Sequence, residues 1–581
     1  MSSNKPVTKK LINTVESCVD DNLRGIVTAF PQLRLHPKHR VITVRTKTDT
    51  GRVAVISGGG SGHEPFAAGF VGAGMLDGAV AGGIFASPPT GNVLYAISHL
   101  HKYNSGGVIV ILGNYTGDRL NFGKAVEKAR INGIKVEPVI IGEDVASSNN
   151  KTGGRGICAE VYIYKLCGAM SVKGYDLTTI YKMTTDVSKC LATLGVCLSA
   201  CSLPGQPPLF EIAQDEMELG AGVHGEAGIA KMKMGTSKEV VGLLLDKIIA
   251  HLRLVAGDRV TAMVNNLGGT SILEMNIISA DIKEYLDRKQ IKLERLYSGH
   301  MKSSLEMHGF NISVLHLTKE NGDFWLGLLD APTTAPGWPA GEFSVGHHDN
   351  IGDDENVLQS FTRKATVGPS LSKQQQDIFR GCLKSAAEEL VQSEVLLNRL
   401  DSGCGDGDCG ITIKKFGQAV LEYLSRGAVE YPSNVLWQLS EIAETDMGGT
   451  SGGIYSLGLS AASQSFASER AVTPAAWLAA WESSMAAITK YGGAEPGDRT
   501  MLDSLHAAYE AFRQNQGVDL KQALLKTSEA AEKGAKETAS RIARAGRASY
   551  VAKEYLQDED AGARAVAIWL KAVIKYMLSK I

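Results

Sequence analysis

Long apolar runs are missing from this chain, and without an uninterrupted stretch of about 18 such residues no membrane-spanning helix is expected. Charge of one sign is missing as well. The net charge is -2, so neither nucleic acid nor an anionic membrane is indicated as a partner. The 9 cysteines are odd in number and lack paired spacing, and the start "MSSNKPVTKK" lacks the apolar stretch of a secretory signal. A reducing cytosol is therefore the expected compartment. Ser579, Lys580 and Ile581 differ from the peroxisomal tripeptide S-K-L only in the last residue, which leaves the peroxisome as a secondary address. No G-x-x-x-x-G-K-[ST] occurs, which excludes a P-loop. "GAGVHG" does match G-x-G-x-x-G through Gly220, Gly222 and Gly225. The preceding "EIAQDEMEL" reads as acidic rather than as a buried strand, so a dinucleotide site is not expected there.

What is present is an ordinary globular composition, 44% hydrophobic and 21% charged, in 581 residues. That length exceeds a single core and calls for roughly two to four domains. The first part alternates short β-branched runs, "RVAVIS" (52–57), "GVIVIL" (107–112) and "KVEPVIIG" (135–142), with more helical segments. This rhythm predicts βαβ units around a buried parallel sheet. "VTAMVNNLGG" (260–269), "ISVLHL" (312–317) and "DFWLGLL" (323–329) predict the strands of a second α/β lobe. Turn formers such as "PTTAPGWPAGE" then mark a linker, and beyond it apolar residues recur at spacings of three and four, the pattern of an all-α domain.

Glycine is the one excess, with 64 residues, many of them in loops that carry chemistry. In "VAVISGGGSGHEP" the order expected is strand, glycine turn, then a helix starting near Glu64–Pro65, where backbone N–H groups could hold an anion or a polarised oxygen. "NYTGDRLNFG" follows a strand directly, which puts Asp118 near the carboxyl end of the sheet, as an active carboxylate or as a turn former. His224 stands among small residues, open to a carbonyl compound or simply structural. "DSGCGDGDCG" (401–410) has too few cysteines for structural zinc. It also fails both EF-hand registers: starting at Asp401 the key positions are Asp406 and Thr412, and starting at Asp406 they are Ile411 and Gly417. There remain Asp401, Asp406 and Asp408, hard oxygen donors that suit Mg²⁺, or else a solvated Asp/Gly loop. "DMGGTSGG", "YGGAEPGDRT" and "AGRASY" add further loops to the helical part, with Arg499 and Arg547 able to engage phosphate, although helix C-caps use glycine too.

The ordered set "SGGGSGHEP", "NYTGDRLNFG", "GVHGEAGI", "NNLGG", "GDGDCG", "GGTSGG", "PGDRTMLDSL" and "GRASY" resembles, nearly end to end, the ATP-dependent dihydroxyacetone kinase family in its single-chain triokinase/FMN cyclase form. The resemblance implies a substrate-binding K domain at 1–340, with α/β lobes at about 1–190 and 191–340, a linker at 341–371, and a nucleotide-binding L domain, an all-α helical barrel, at 372–581. It implies that His224 adds to the ketose carbonyl as a hemiaminal, that Asp118 accepts the proton of the attacking hydroxyl, and that His63 hydrogen-bonds the substrate beside Gly60, Ser61 and Gly62. Asp401, Asp406 and Asp408 would hold Mg²⁺ on ATP. Cys409, Gly410, Ile411, Thr412, Thr450, Ser451, Gly492, Thr500, Met501, Arg547, Asp560 and Gly562 fall at nucleotide-contact positions, with Cys409 lending its backbone and Cys404 serving as filler.

The implied reactions are ATP-dependent phosphorylation of dihydroxyacetone and D-glyceraldehyde, and a FAD-AMP lyase reaction giving AMP and cyclic FMN with Mn²⁺ or Co²⁺. A homodimer is implied as well. One position departs from the pattern. Many members have lysine directly before "NYTGD", contacting the ketose, and this chain has Gly113. That loss of a cation keeps an alternative in view, a mainly regulatory homologue that binds a protein partner with weak kinase activity.

Overall fold

A computed structural model describes residues 7–45, 50–147, 153–226, 228–339, 368–403 and 405–581. Most of the linker expected at 341–371, together with Cys404, lies outside the described residues. The chain divides into two compact units, Met1–Ile351 and Gly352–Ile581. Among the described residues no helix is long and apolar enough to cross a membrane.

The first unit holds two six-stranded sheets. One comprises β1 (Leu33–His36), β2 (Val41–Val44), β3 (Ala54–Ser61), β4 (Gly78–Ile84), β5 (Val108–Gly113) and β6 (Val136–Ile141), in the order β1-β2-β4-β3-β5-β6. Strands β3 to β6 run parallel and β5 is buried along its whole length, the Val/Ile-rich habit of a sheet covered on both faces. The other comprises β7 (Leu191–Cys197), β8 (Glu216–Leu219), β9 (Ala230–Lys233), β10 (Arg259–Asn266), β11 (Lys292–Gly299) and β12 (Gly309–Leu317), in the order β11-β10-β12-β7-β8-β9. Only its β10–β11 pairing is parallel.

Between the sheets runs the helix Glu160–Val172, buried at every residue but the last. Its side chains share one core with Val55 and Ile109 of the first sheet and with Leu191, Met263 and Leu315 of the second. Outer helices, Thr90–His101 and Thr116–Ile131 on one side, Ser237–Leu252 and Ile272–Arg288 on the other, cover the remaining faces. The packing leaves no room at Gly168, where an added Cβ would lie 2.4 Å from the backbone of Met75. Gly168→Ala should therefore destabilise the first unit by about 3 kcal/mol, read as a lowered denaturant midpoint; an unchanged midpoint would mean that the sheets can part.

Four local expectations are corrected. Residues 323–329 belong to a helix, Gly322–Leu329, not a strand, because Trp325, Leu328 and Leu329 bury one face at helical spacing. The glycines after "VAVIS" do not turn. They continue β3 to Ser61, where an added Cβ on Gly58 would meet the Val80 carbonyl oxygen at 2.3 Å and one on Gly60 the Ala86 nitrogen at 2.8 Å. No α-helix starts at Glu64–Pro65; a short 3-10 turn, Ala68–Phe70, follows instead. The acidic stretch before "GAGVHG" does end in a strand, β8, with Met217 and Leu219 buried, but no helix follows it, so the dinucleotide arrangement is still lacking.

The second unit is all-helical: Lys373–Gln392, Glu394–Asp401, Cys409–Arg426, Pro432–Ile442, Gly449–Ala467, Pro474–Gly492, Met501–Gln514, Leu520–Glu537 and Ala561–Leu578. Later helices pack on their sequence neighbours, and the last packs against the first, closing a ring. Leu371 is already part of this unit, its N–H bonded to the Glu430 carbonyl at 2.7 Å.

Candidate active sites

In the first unit, residues that follow strands of the two sheets meet: His63 from the first and His224 from the second. His63 follows β3 and is 1% exposed, its ring stacked on Phe85 at 4.9 Å. Its Nδ1 lies 2.9 Å from the Ser303 carbonyl oxygen, an acceptor, so Nδ1 carries the proton and Nε2 the lone pair. That Nε2 is buried without a hydrogen-bond partner among the described residues.

His224 sits in the loop between β8 and β9, edge-on to His63 at 4.8 Å and to Tyr115 at 4.7 Å between ring centroids. Burial, together with the charges of Lys302 and Arg155, pushes its imidazole down to about 4 against the opposing pull of Glu226. Burial, His224 and Lys302 push His63 well below its ordinary value. Both rings are neutral at pH 7. The glycines of "GAGVHG" serve this loop rather than a dinucleotide. Gly220 and Gly225 have φ of 72° and 71°, and an added Cβ on Gly222 would overlap Glu226, which pairs with Arg155 at 3.0 Å.

Asp118 lies in the first turn of the helix Thr116–Ile131, just past the end of β5, and accepts a hydrogen bond from Ser87 Oγ. Burial raises its carboxyl to about 6, with Ser87 and Lys302 pulling the other way. The Cβ position of Gly59 is 3.7 Å from Asp118 Oδ2 and 3.1 Å from the Phe66 ring, which ties the carboxylate to the histidine wall. The anion-holding reading of the β3 turn is not met at Gly62, whose N–H is already bonded to the buried carboxylate of Glu64 at 3.0 Å. Ser61 Oγ is likewise committed, to the Gly82 carbonyl at 2.9 Å.

In the second unit, oxygens of Asp401, Asp406 and Asp408 come within 4.8 Å of one another. Asp401 ends its helix and its Oδ2 accepts the N–H of Gly407 at 2.9 Å and of Asp408 at 3.1 Å, wrapping the loop around one carboxylate. An added Cβ on Gly405 would meet Asp401 Oδ1 at 2.3 Å, and Gly407 has φ of 74°, so this turn requires its glycines. Desolvation and the charges of Asp406 and Asp401 hold the exposed Asp408 carboxyl up, whereas Arg547, bonded to Asp406, holds that one down. Three convergent carboxylate oxygens fit a hard divalent cation.

Several helices begin at the nucleotide-contact positions that the resemblance implies. Gly410, Ile411 and Thr412 occupy the first turn after Asp408 and Cys409, and the Thr412 N–H bonds the Asp408 carbonyl at 3.0 Å. Thr450 and Ser451 begin the helix that follows Gly448, and Thr500 caps Met501–Gln514. Asp560, raised to about 6 by burial, caps Ala561–Leu578 through the Ala563 N–H at 2.7 Å. The Cβ position of Gly562 is 3.4 Å from Met501 Cβ, which joins two of these termini. Gly492 ends its helix with no residue within 4 Å of its Cβ position. Of the two arginines singled out, only Arg547 reaches the triad; Arg499 is 2% exposed and turned onto the Asp558 carbonyl at 2.7 Å.

Sequence reasoning passed over Ser87, Phe85, Glu160 and Lys302, none of which forms a pattern along the chain, and gave no role to Tyr115 within "NYTGDRLNFG". "NNLGG" gave a motif without a role. In the fold, Asn265 Oδ1 accepts the N–H groups of Met301 at 2.8 Å and Lys302 at 3.0 Å, fixing the loop that orients His63.

Residues 24–337 match the Dak1 domain and residues 403–575 the DAK2 domain. The triokinase/FMN cyclase of Homo sapiens is 42% identical, covering 98% of this chain and 100% of that protein. The crystal structure of the dihydroxyacetone kinase from C. freundii in complex with AMP-PNP and Mg²⁺ superposes with a TM-score of 0.68 at 30% identity, over 98% of this chain and 100% of that one. The dihydroxyacetone kinase operon co-activator Dha-DhaQ covers 55% of this chain at 31% identity and a TM-score of 0.52.

Proposed function

This chain belongs to the dihydroxyacetone kinase family, and from that premise we propose that it transfers a phosphoryl group from ATP to dihydroxyacetone or D-glyceraldehyde, and that its second unit also splits FAD into AMP and cyclic FMN. The observation that supports the kinase reading is the meeting of two buried imidazoles, 4.8 Å between ring centroids, with a buried carboxylate that borders the same strand end at Gly59. The neutral His224 ring has a lone pair to add to a carbonyl carbon; the carbonyl oxygen gains a proton, the ring loses one, and the triose is held as a hemiaminal. His63 Nε2, lacking a partner among the described residues, accepts a hydrogen bond from a substrate hydroxyl. Asp118 removes the proton of the primary hydroxyl that attacks, a task suited to a base whose pKa lies just below neutrality. A covalent anchor compensates for the few atoms a triose offers for binding.

Asp401, Asp406 and Asp408 would hold Mg²⁺ for the kinase reaction and Mn²⁺ or Co²⁺ for FAD cleavage, the ion screening phosphate charge when bound. The helix that starts directly after Asp408 would supply N–H donors suited to the nucleotide phosphates. A cytosolic homodimer is part of the proposal. The purified protein, given ATP, Mg²⁺ and dihydroxyacetone, should form the triose phosphate, and given FAD and Mn²⁺ should release AMP. Absence of both products would defeat the reading.

The pH profile separates the two activities. Asp118 is raised to about 6 in the fold and acts as the deprotonated base, so triose phosphorylation is retained above that pH and lost as pH falls through it. The rate should drop about tenfold per unit on the acid side. FAD cleavage does not use Asp118 and should lack this limb. A kinase profile flat down to pH 5 would remove Asp118 from its role.

A further inference from the structure

Lys302 is 3% exposed and forms an ion pair with the buried Glu160. Its ammonium donates to Glu160 Oε1 at 2.8 Å and to the Gly156 carbonyl at 3.1 Å, which accounts for two of its three N–H groups. It lies 4.2 Å from the centroid of the Phe66 ring and 5.5 Å from that of Tyr115. Tyr115 stands edge-on to His224, and Phe66 abuts the Gly59 position that borders Asp118. Asn265 fixes the backbone of Lys302 from both sides, bonding its N–H at 3.0 Å and its carbonyl at 2.8 Å, and the next residue, Ser303, orients His63.

The same arrangement accounts for Gly113. A Cβ at that position would stand 2.5 Å from Glu160 Oε1, the oxygen that Lys302 holds. The space above the end of β5 is thus filled by an ion pair whose cation comes from the other sheet.

We propose that Lys302 is the cation of the triose pocket, that its remaining N–H is directed to a substrate oxygen, and that it sets ketose affinity from the β11–β12 loop in place of any side chain at position 113. Its charge also contributes to keeping His63 and His224 neutral and Asp118 ionised, secondary to burial for the histidines and against burial for the carboxyl. One cation therefore favours the three protonation states the reaction needs. The inference rests on the pocket being a triose site, and it removes the one sequence feature that favoured a regulatory role.

The test is the affinity of the full chain for dihydroxyacetone without nucleotide, followed by kcat and KM with ATP and Mg²⁺. Lys302→Met should weaken ketose binding and raise KM by about 10- to 100-fold, the effect of removing a hydrogen bond to a charged group. The double variant Gly113→Lys, Lys302→Ala, which returns a lysine from the β5 side, should recover binding to within about threefold. Since Lys302→Met could also disturb the core, the double variant is the decisive arm: a merely structural role would not be rescued by moving the charge. A Lys302→Met protein with affinity within twofold of the parent would overturn the inference, as would a folded double variant left at the weak affinity. A parent chain that binds no dihydroxyacetone would sink the triose reading itself, a result distinct from either.

Discussion

Replacing His224 with alanine should abolish triose phosphorylation, by about 10³-fold or more in kcat/KM, while leaving FAD cleavage within about twofold of the parent. The large effect follows from the size of the substrate. A triose presents few atoms, and a bond to the imidazole supplies the positioning that hydrogen bonds alone would supply weakly. The ring is suited to form that bond because it is neutral at pH 7, pushed down to about 4 by burial among Tyr115, Phe85 and His63. Alanine removes the lone pair without touching the Arg155–Glu226 pair that shapes the loop, so the fold of the pocket should persist. Parallel assays of the same preparation with dihydroxyacetone and with FAD give the comparison. Equal loss of both reactions would refute the division of labour between the units.

Asp406→Ala should instead remove both reactions, each by about 100-fold or more. Asp401 is committed to loop N–H groups as well as to the cluster, so a change there would confound folding with chemistry. Asp406 is exposed and its side chain pairs with Arg547, which makes it the cleanest of the three to alter. The variant should keep the parent's unfolding midpoint and lose Mn²⁺ binding, followed directly by titration. Retention of either activity at the parental rate would place the cation elsewhere.

How far the sequence foretold these sites depended on distance along the chain. The aspartate triad was legible because its three residues fall within one loop, where donor chemistry and register can be tested by inspection. Asp118 was legible because it follows a strand in an α/β repeat. The Lys302–Glu160 pair was not, since its members are 142 residues apart and meet only when two sheets close on one helix. Gly113 consequently read as a lost cation, whereas the charge arrives there from another strand connection. The helix Gly322–Leu329 was mistaken for a strand because eight largely apolar residues satisfy either period. The glycines of β3 were mistaken for a turn because close approach of a neighbouring strand leaves no mark on the sequence of the strand that must accommodate it.

The buried helix Glu160–Val172 has a consequence for how activity fails. Asp118 and His63 ride on the first sheet, His224 and Lys302 on the second, and this helix is the layer both sheets pack against. Heat that loosens that layer should separate the proposed nucleophile, His224, from the proposed base, Asp118, before either sheet melts. Thermal inactivation of the kinase should therefore track the earliest softening of the first unit, while FAD cleavage outlasts it as long as the helical ring stays closed.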